Sequence, residues 1–213
     1  MRLQPDRLTA VAQHLLAVGI AAPILALASV LAAGSAYPGF DHARQYLSEL
    51  GGATATVPAL FNVGVLIAGA MTGVAGVGFG LAVVILTRSL VSAALVGLLF
   101  VLAGTGLVLS SLYPWPDPRH MAINLGLGIQ LAPVFLLVAL RQTSGLSGLR
   151  RFLAAAFGAM AVLTLLTKHL LFPGTVTDLN VGYWERAFAI VLVGWVGVAA
   201  LCLRRRLEPG SPR

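Results

Sequence analysis

The sequence predicts an all-α, polytopic transmembrane bundle of six spans, with both termini cytoplasmic and a short interfacial helix in the first outer loop. Three observations carry this. Of the 213 residues, 58% are hydrophobic and only 10% are charged, whereas a soluble domain carries about a quarter charged residues. Apolar runs recur at the length of about 20 residues that a hydrocarbon core about 30 Å thick demands. The breaks between them carry turn chemistry: Tyr37-Pro38-Gly39, Pro114-Trp115-Pro116-Asp117-Pro118 and Phe172-Pro173-Gly174.

In order, the predicted spans are 8–36, 57–87, 89–112, 121–140, 152–171 and 183–203, forming one domain. The first run is far longer than the apolar region of a signal peptide and reads as a retained span. Spans 2 and 3 meet almost directly at Arg88-Ser89. On span 2, Asn62, Gly69, Gly73, Gly76 and Gly80 recur at helical spacing, and their small-xxx-small steps invite close approach of a neighbouring helix. The tail 204–213 is basic, then rich in Pro, Gly and Ser, and is expected to be a disordered cytoplasmic segment. The single cysteine, Cys202, excludes an intramolecular disulfide and reads as an inert thiol in an apolar run.

A net charge of +7 ordinarily raises nucleic-acid binding, but no basic run here is interleaved with aromatics on a soluble face. The arginines instead orient the spans. Ten basic residues fall on the even-numbered connections and the termini: Arg2, Arg7, Arg88, Arg141, Arg150, Arg151, Arg204, Arg205, Arg206 and Arg213. Four fall on the other side: Arg44, Arg119, Lys168 and Arg186. The positive-inside rule then places both termini in the cytoplasm of a multi-pass cell-membrane protein.

Chemistry-bearing residues gather on the opposite, outer side. In the first outer loop, Asp41 can cap a short helix ending at Gly51, with Ala43, Tyr46, Leu47 and Leu50 as its apolar face and Arg44 and Ser48 on the other. That helix serves as an interfacial element or as a lid. In the second segment, His120 and Asn124 fall at i, i+4, approached by three prolines, while Tyr113 and Trp115 suit an aromatic belt. The third cluster holds Lys168 and His169, then Asp178, Asn180 and Tyr183-Trp184-Glu185-Arg186. Glu185 shares a helix face with Phe188, Leu192 and Trp195. His14 reads as a packing residue near the inner end of span 1. Ionisable groups at or within spans are costly and are functional-site hypotheses by default.

Tyr46-Leu47-Ser48-Glu49-Leu50-Gly51, Phe61-Asn62-Val63-Gly64 with Gly69, Pro116-Asp117-Pro118-Arg119-His120 and Gly182-Tyr183-Trp184-Glu185-Arg186 come in this order along nearly the whole chain. In order and spacing they resemble the bacterial and archaeal membrane-protein family called domain of unknown function 998. The resemblance implies a six-helix membrane fold and implies no activity.

Three functional readings follow. The first is a protein that binds a lipid or isoprenoid in an outer-side cavity and processes it by acid–base chemistry, proton-initiated terpene cyclisation included. Its catalytic candidates are Glu49, Asp117, His120 and Glu185. Its substrate-binding candidates are Tyr46, Ser48, Asn62, Asn124, Trp184, Arg186 and Trp195. The second is a metal-dependent hydrolase using His42, His120 and His169, although no two of these histidines share the i, i+4 spacing of a strong zinc signature. The third is a non-enzymatic structural or sensing protein whose outer ion pairs lock the bundle. The expected partners are membrane lipids and a hydrophobic small molecule, with no nucleic acid, no cofactor and no bound metal; the sequence sets no oligomeric state. Glu49, Asn62, Asp117, His120, Glu185 and Arg186 are expected to converge on one cavity, with an arginine or histidine beside each glutamate or else an apolar pocket that holds it neutral.

The orientation is testable in a Cys202→Ala background. A cysteine introduced into the 141–151 connection should react with an impermeant thiol reagent only after the cells are permeabilised. Labelling from outside intact cells would reverse the assignment.

Overall fold

The computed structural model describes residues 5–122 and 127–210, and among them every regular element is helical. The helices are α1 (Pro5–Ser35), α2 (Pro58–Thr87), α3 (Leu90–Leu112), α4 (Pro118–Ala122), α5 (Leu127–Ala139), α6 (Ser147–Thr167) and α7 (Val181–Arg206), with a 3-10 turn at Leu47–Gly51. Five of them, α1, α2, α3, α6 and α7, are long and apolar enough to cross a membrane, and α5 is a shorter apolar helix. Helices suit this composition because a span in lipid must close all its backbone hydrogen bonds within itself.

Spans 2 and 3 fall within one residue of their expected bounds. Their junction is a two-residue hinge. Arg88 sits in the left-handed region at φ 61°, and Ser89 caps α3 by accepting from Ser92 N at 3.2 Å. The expected span 121–140 is described only in part. Its described parts are the five residues of α4 and the 13 of α5, the latter about 20 Å long; residues 123–126, including Asn124, lie outside the described residues. Span 5 moves towards the N-terminus because Arg150, expected in a loop, is helical. Its Nη1 donates to Leu140 O at 3.2 Å and Thr143 O at 2.7 Å, closing the end of α5. The chain beyond 203 remains helical through Arg206, and three arginines in that last turn suit the negative end of a helix dipole.

In order, α1 packs on α2, α2 on α3, α3 on α5, α5 on α6 and α6 on α7, and α7 closes the ring on α1, with α2 also reaching α5 and α7. Small residues set the distances. A Cβ on Gly76 would lie 2.5 Å from Phe100 Cβ, and one on Gly104 would lie 2.5 Å from Gly69 O, so α2 and α3 touch along their backbones. One end of the ring gathers Arg88, Arg141, Arg150, Arg151 and the 204–206 run; Arg206 Nη2 reaches Ser144 O there at 3.4 Å. The other end carries the 3-10 turn.

The two ends are packed differently. The main apolar core, centred on Phe79, Phe100 and Trp195, extends towards the arginine-rich end. The last buried residue of α6 is Met160, and α7 has none between Gly182 and Trp195. The halves of α6 and α7 nearest the 3-10 turn therefore contribute no buried side chain to the bundle. A smaller cluster of Ala33, Phe40, Leu47 and Leu50 seats the loop there.

Candidate functional site

The loop between α1 and α2 runs across the end of the bundle, where its backbone cannot rely on a helix to satisfy it. Side chains from α2 and α7 do so instead. Glu185 Oε2 accepts a short hydrogen bond from Leu47 N. Arg186 Nη1 donates to Gln45 O at 2.9 Å and to Gly182 O at 2.8 Å. Asn62 Nδ2 donates to Gly51 O at 2.9 Å, and Gly182 N donates to Ala43 O at 2.7 Å. Within the loop, Glu49 accepts from Tyr46 N at 2.8 Å and Gln45 Nε2 at 2.9 Å. We call this assembly the clamp.

Two glycines make the clamp possible by having no side chain. A Cβ on Gly182 would fall 2.6 Å from both Gln45 O and His42 O, and one on Gly51 would fall 2.1 Å from Asn62 Oδ1. In the sequence Gly51 reads as a helix end, and Gly182 stands only as the first residue of the motif that opens span 6. The available signal was a glycine opening an apolar span, where a close backbone approach accounts for it better than a turn does. The short helix expected in the first loop is the five-residue 3-10 helix Leu47–Gly51, and it ends at Gly51. Asp41 does not cap it; its Oδ1 accepts from Ala43 N at 2.9 Å and from Arg44 N at 3.3 Å in a separate turn.

Asp117 and His120 form a second assembly that closes the end of α3. Arg119 grips Asp117 with two bonds, 3.0 and 2.7 Å, and its guanidinium lies 3.9 Å from the Tyr113 ring centroid. The side-chain bonds from Arg119, then its backbone N–H, hold the Asp117 carboxyl down at about 2. His120 Nδ1 lies 2.9 Å from Tyr113 O and 3.2 Å from Ser110 O. The two assemblies meet where the Tyr46 and Trp115 rings approach to 6.2 Å. Burial, and then the charges of Glu185, Asp178 and Glu49, raise the Tyr46 phenol above its usual range.

Directly beneath lies a cavity of about 160 Å³, lined mainly by small and aliphatic side chains of α1, α2, α3, α5 and α7, with Thr72 and Ser110 as its hydroxyls. None of the six residues expected to converge lines it. Glu49, Asn62, Glu185 and Arg186 come together on the loop backbone, whereas Asp117 and His120 turn to α3. The ion pairs among the described residues are Asp41–Arg44 and Asp117–Arg119, so Glu185 is matched by an amide rather than by a guanidinium. Ser48 and Trp184 are half-buried near the clamp. Trp195 sits in the core, 1% exposed, against Phe79 and Phe100 and away from the clamp. His42 packs edge-on to Phe40, and His169 is exposed on a left-handed turn. Among the described residues, no three His, Cys, Asp or Glu side chains gather to hold a metal ion.

The sequence profile of a family described as "Protein of unknown function (DUF998)" matches residues 20–202, well over half of the chain. The chain belongs to the DUF998 family. The matched DUF998 region contains the whole clamp, the α3 closure and the cavity. No match is found among curated proteins or among solved structures.

The clamp makes a specific demand on Glu185. Glu185→Gln keeps a carbonyl oxygen for Leu47 N–H and should change thermal stability little. Glu185→Leu strands that half-buried donor and should cost about 1–3 kcal/mol. Equal melting temperatures for the two variants would show that the contact contributes nothing.

Proposed function

We propose that this DUF998 member is a multi-pass protein of the cell membrane that binds a lipid or isoprenoid, with the apolar chain in the cavity beneath the clamp. On this reading the arginine-rich end faces the cytoplasm and the clamp faces outward, as the asymmetry of basic residues argues. The observation that carries the proposal is the cavity itself. An apolar space of about 150 Å³ stays dry and takes a benzene-sized group, so this one suits a short length of acyl or prenyl chain. Its wall on α7, at Leu192, Val193 and Val196, begins two helical turns from Glu185, about 10 Å along the axis. A chain seated there would place its polar end in the layer of the clamp and the α3 closure. The halves of α6 and α7 that lack buried residues supply a route from the surrounding lipid.

Binding is better supported than acid–base processing. A general acid needs a proton to give and a path to the substrate. Glu185 accepts from Leu47 N–H, and Asp117 is held ionised by Arg119. Neither carboxyl lines the cavity, so cyclisation and hydrolysis rank behind a binding or sensing role.

A prenyl probe carrying a diazirine tests the reading on protein reconstituted in nanodiscs. Crosslinks should concentrate on the cavity walls at 103–110 and 192–196. Ala68→Leu, which puts an isobutyl group into the cavity, should remove them without lowering the melting temperature. Crosslinks confined to lipid-facing residues, or unaffected by Ala68→Leu, would contradict it.

A further inference from the structure

The arginine-rich end holds a second, larger cavity of about 480 Å³, between the α2–α3 hinge and the turn that follows α5. It shares no residue with the cavity beneath the clamp. The hinge side contributes Thr87, Ser89 and Ser92 to its wall, and the turn contributes Arg141, Gln142 and Thr143.

Both segments are fixed from within. Ser89 Oγ accepts from Ser92 N at 3.2 Å and donates to Ser92 Oγ at 2.9 Å, while Thr87 Oγ1 donates to Val83 O at 2.8 Å. Arg150 ties the turn down through Leu140 O and Thr143 O. What stays open is a set of donors. The Ser92 hydroxyl hydrogen, the Gln142 amide and the Arg141 guanidinium have no hydrogen-bond or ion-pair partner among the described residues. No carboxylate among the described residues lines the cavity to neutralise that guanidinium. An anion is the complement of this wall.

The rest of the lining decides which kind of anion fits. Leu86, Val138 and Ala139 carry the cavity along α2 and α5, away from the arginine. Val138 lies about one helical turn deeper than Arg141, and its side chain is 51% exposed, so the cleft is open to the surrounding hydrocarbon at that depth. A free phosphate would use the polar part and leave the apolar part empty. A phospholipid matches both.

We propose that this cleft binds an anionic phospholipid, its phosphate held by Arg141 with Ser92 and Gln142 as further donors, and its acyl chain along Leu86, Val138 and Ala139. The planar guanidinium can meet two phosphate oxygens at once, and a basic pocket between spans is a recurrent setting for such a headgroup. A zwitterionic headgroup brings a cation that finds no carboxylate here. The site is independent of the chain-binding reading at the clamp end.

Native mass spectrometry of the full chain in a non-ionic detergent, which resolves each lipid as it binds, tests the proposal. Dioleoyl phosphatidylglycerol and dioleoyl phosphatidylcholine are titrated against wild type, Arg141→Gln and Arg151→Gln. Arg151 is exposed at the same end and lines no part of the cleft, so it carries the general positive field without the site. The first phosphatidylglycerol should bind wild type on the order of tenfold tighter than phosphatidylcholine, the worth of one hydrogen bond to a charged group. Arg141→Gln should lose that factor at an unchanged melting temperature, and Arg151→Gln should keep it. Equal binding of the two lipids, or equal losses from the two substitutions, would overturn the site and leave Arg141 as one of several charges that orient the spans. Inorganic phosphate in millimolar excess should leave the lipid bound; its displacing the lipid completely would assign the cleft to a free anion and overturn the lipid reading.

Discussion

The architecture of this end of the molecule depends on one constraint: a loop backbone at the edge of the hydrocarbon must have its N–H and C=O groups answered by protein. Each such group left unanswered there costs several kcal/mol. The loop before α2 folds only as far as a 3-10 turn, so its remaining groups need partners from elsewhere. Glu185, Arg186 and Asn62 provide them, one to an amide and two to carbonyls. These side chains look like an active site because they are polar, half-buried and close together, yet each is directed at main chain. Glu185 and Arg186 diverge by about 100° on α7 and still reach the same loop, because the loop wraps around the start of that helix.

The same small residues that bring helices together also leave the space between them. Along α2 and α3 glycines let backbones touch, which fixes the arginine-rich half of the ring as a dense core around Phe79, Phe100 and Trp195. Nearer the clamp, Ala22, Ala26, Ala68, Ala103 and Gly106 are too short to fill the middle, and the only α7 side chains that reach it are Leu192, Val193 and Val196 among the described residues. A cavity results between α1, α2, α3, α5 and α7, its α7 wall beginning about 10 Å along the axis from Glu185. Function in this account lies in what the packing leaves open, and the polar residues act mainly as its frame.

Much of the fold was legible in the sequence, because span length and turn chemistry are local signals. The bounds of α2 and α3 followed from two apolar runs of spanning length that meet at Arg88-Ser89. The fourth span was harder, since α5 carries Pro133 inside a helix of only 13 residues. The boundaries of α6 moved because Arg150 can sit within a helix when its guanidinium reaches back to the preceding carbonyls. The site was only partly legible. Membrane depth told which residues share a layer, and Glu49, Asn62, Glu185 and Arg186 do meet. Depth does not tell what a side chain is directed at. Asp117 and His120 lie in a turn, where Asp117 can grip Arg119 two residues on, and so they serve α3.

The claim that the loop is held by α2 and α7 can be tested most directly by hydrogen exchange on the wild-type protein in nanodiscs, amide by amide. Leu47 N and Gly182 N, each bonded across elements, should exchange orders of magnitude more slowly than Thr54 N and Thr56 N on the exposed stretch leading to α2. Leu47 exchanging as fast as Thr54 would mean that the clamp is open in solution, and the account would fail.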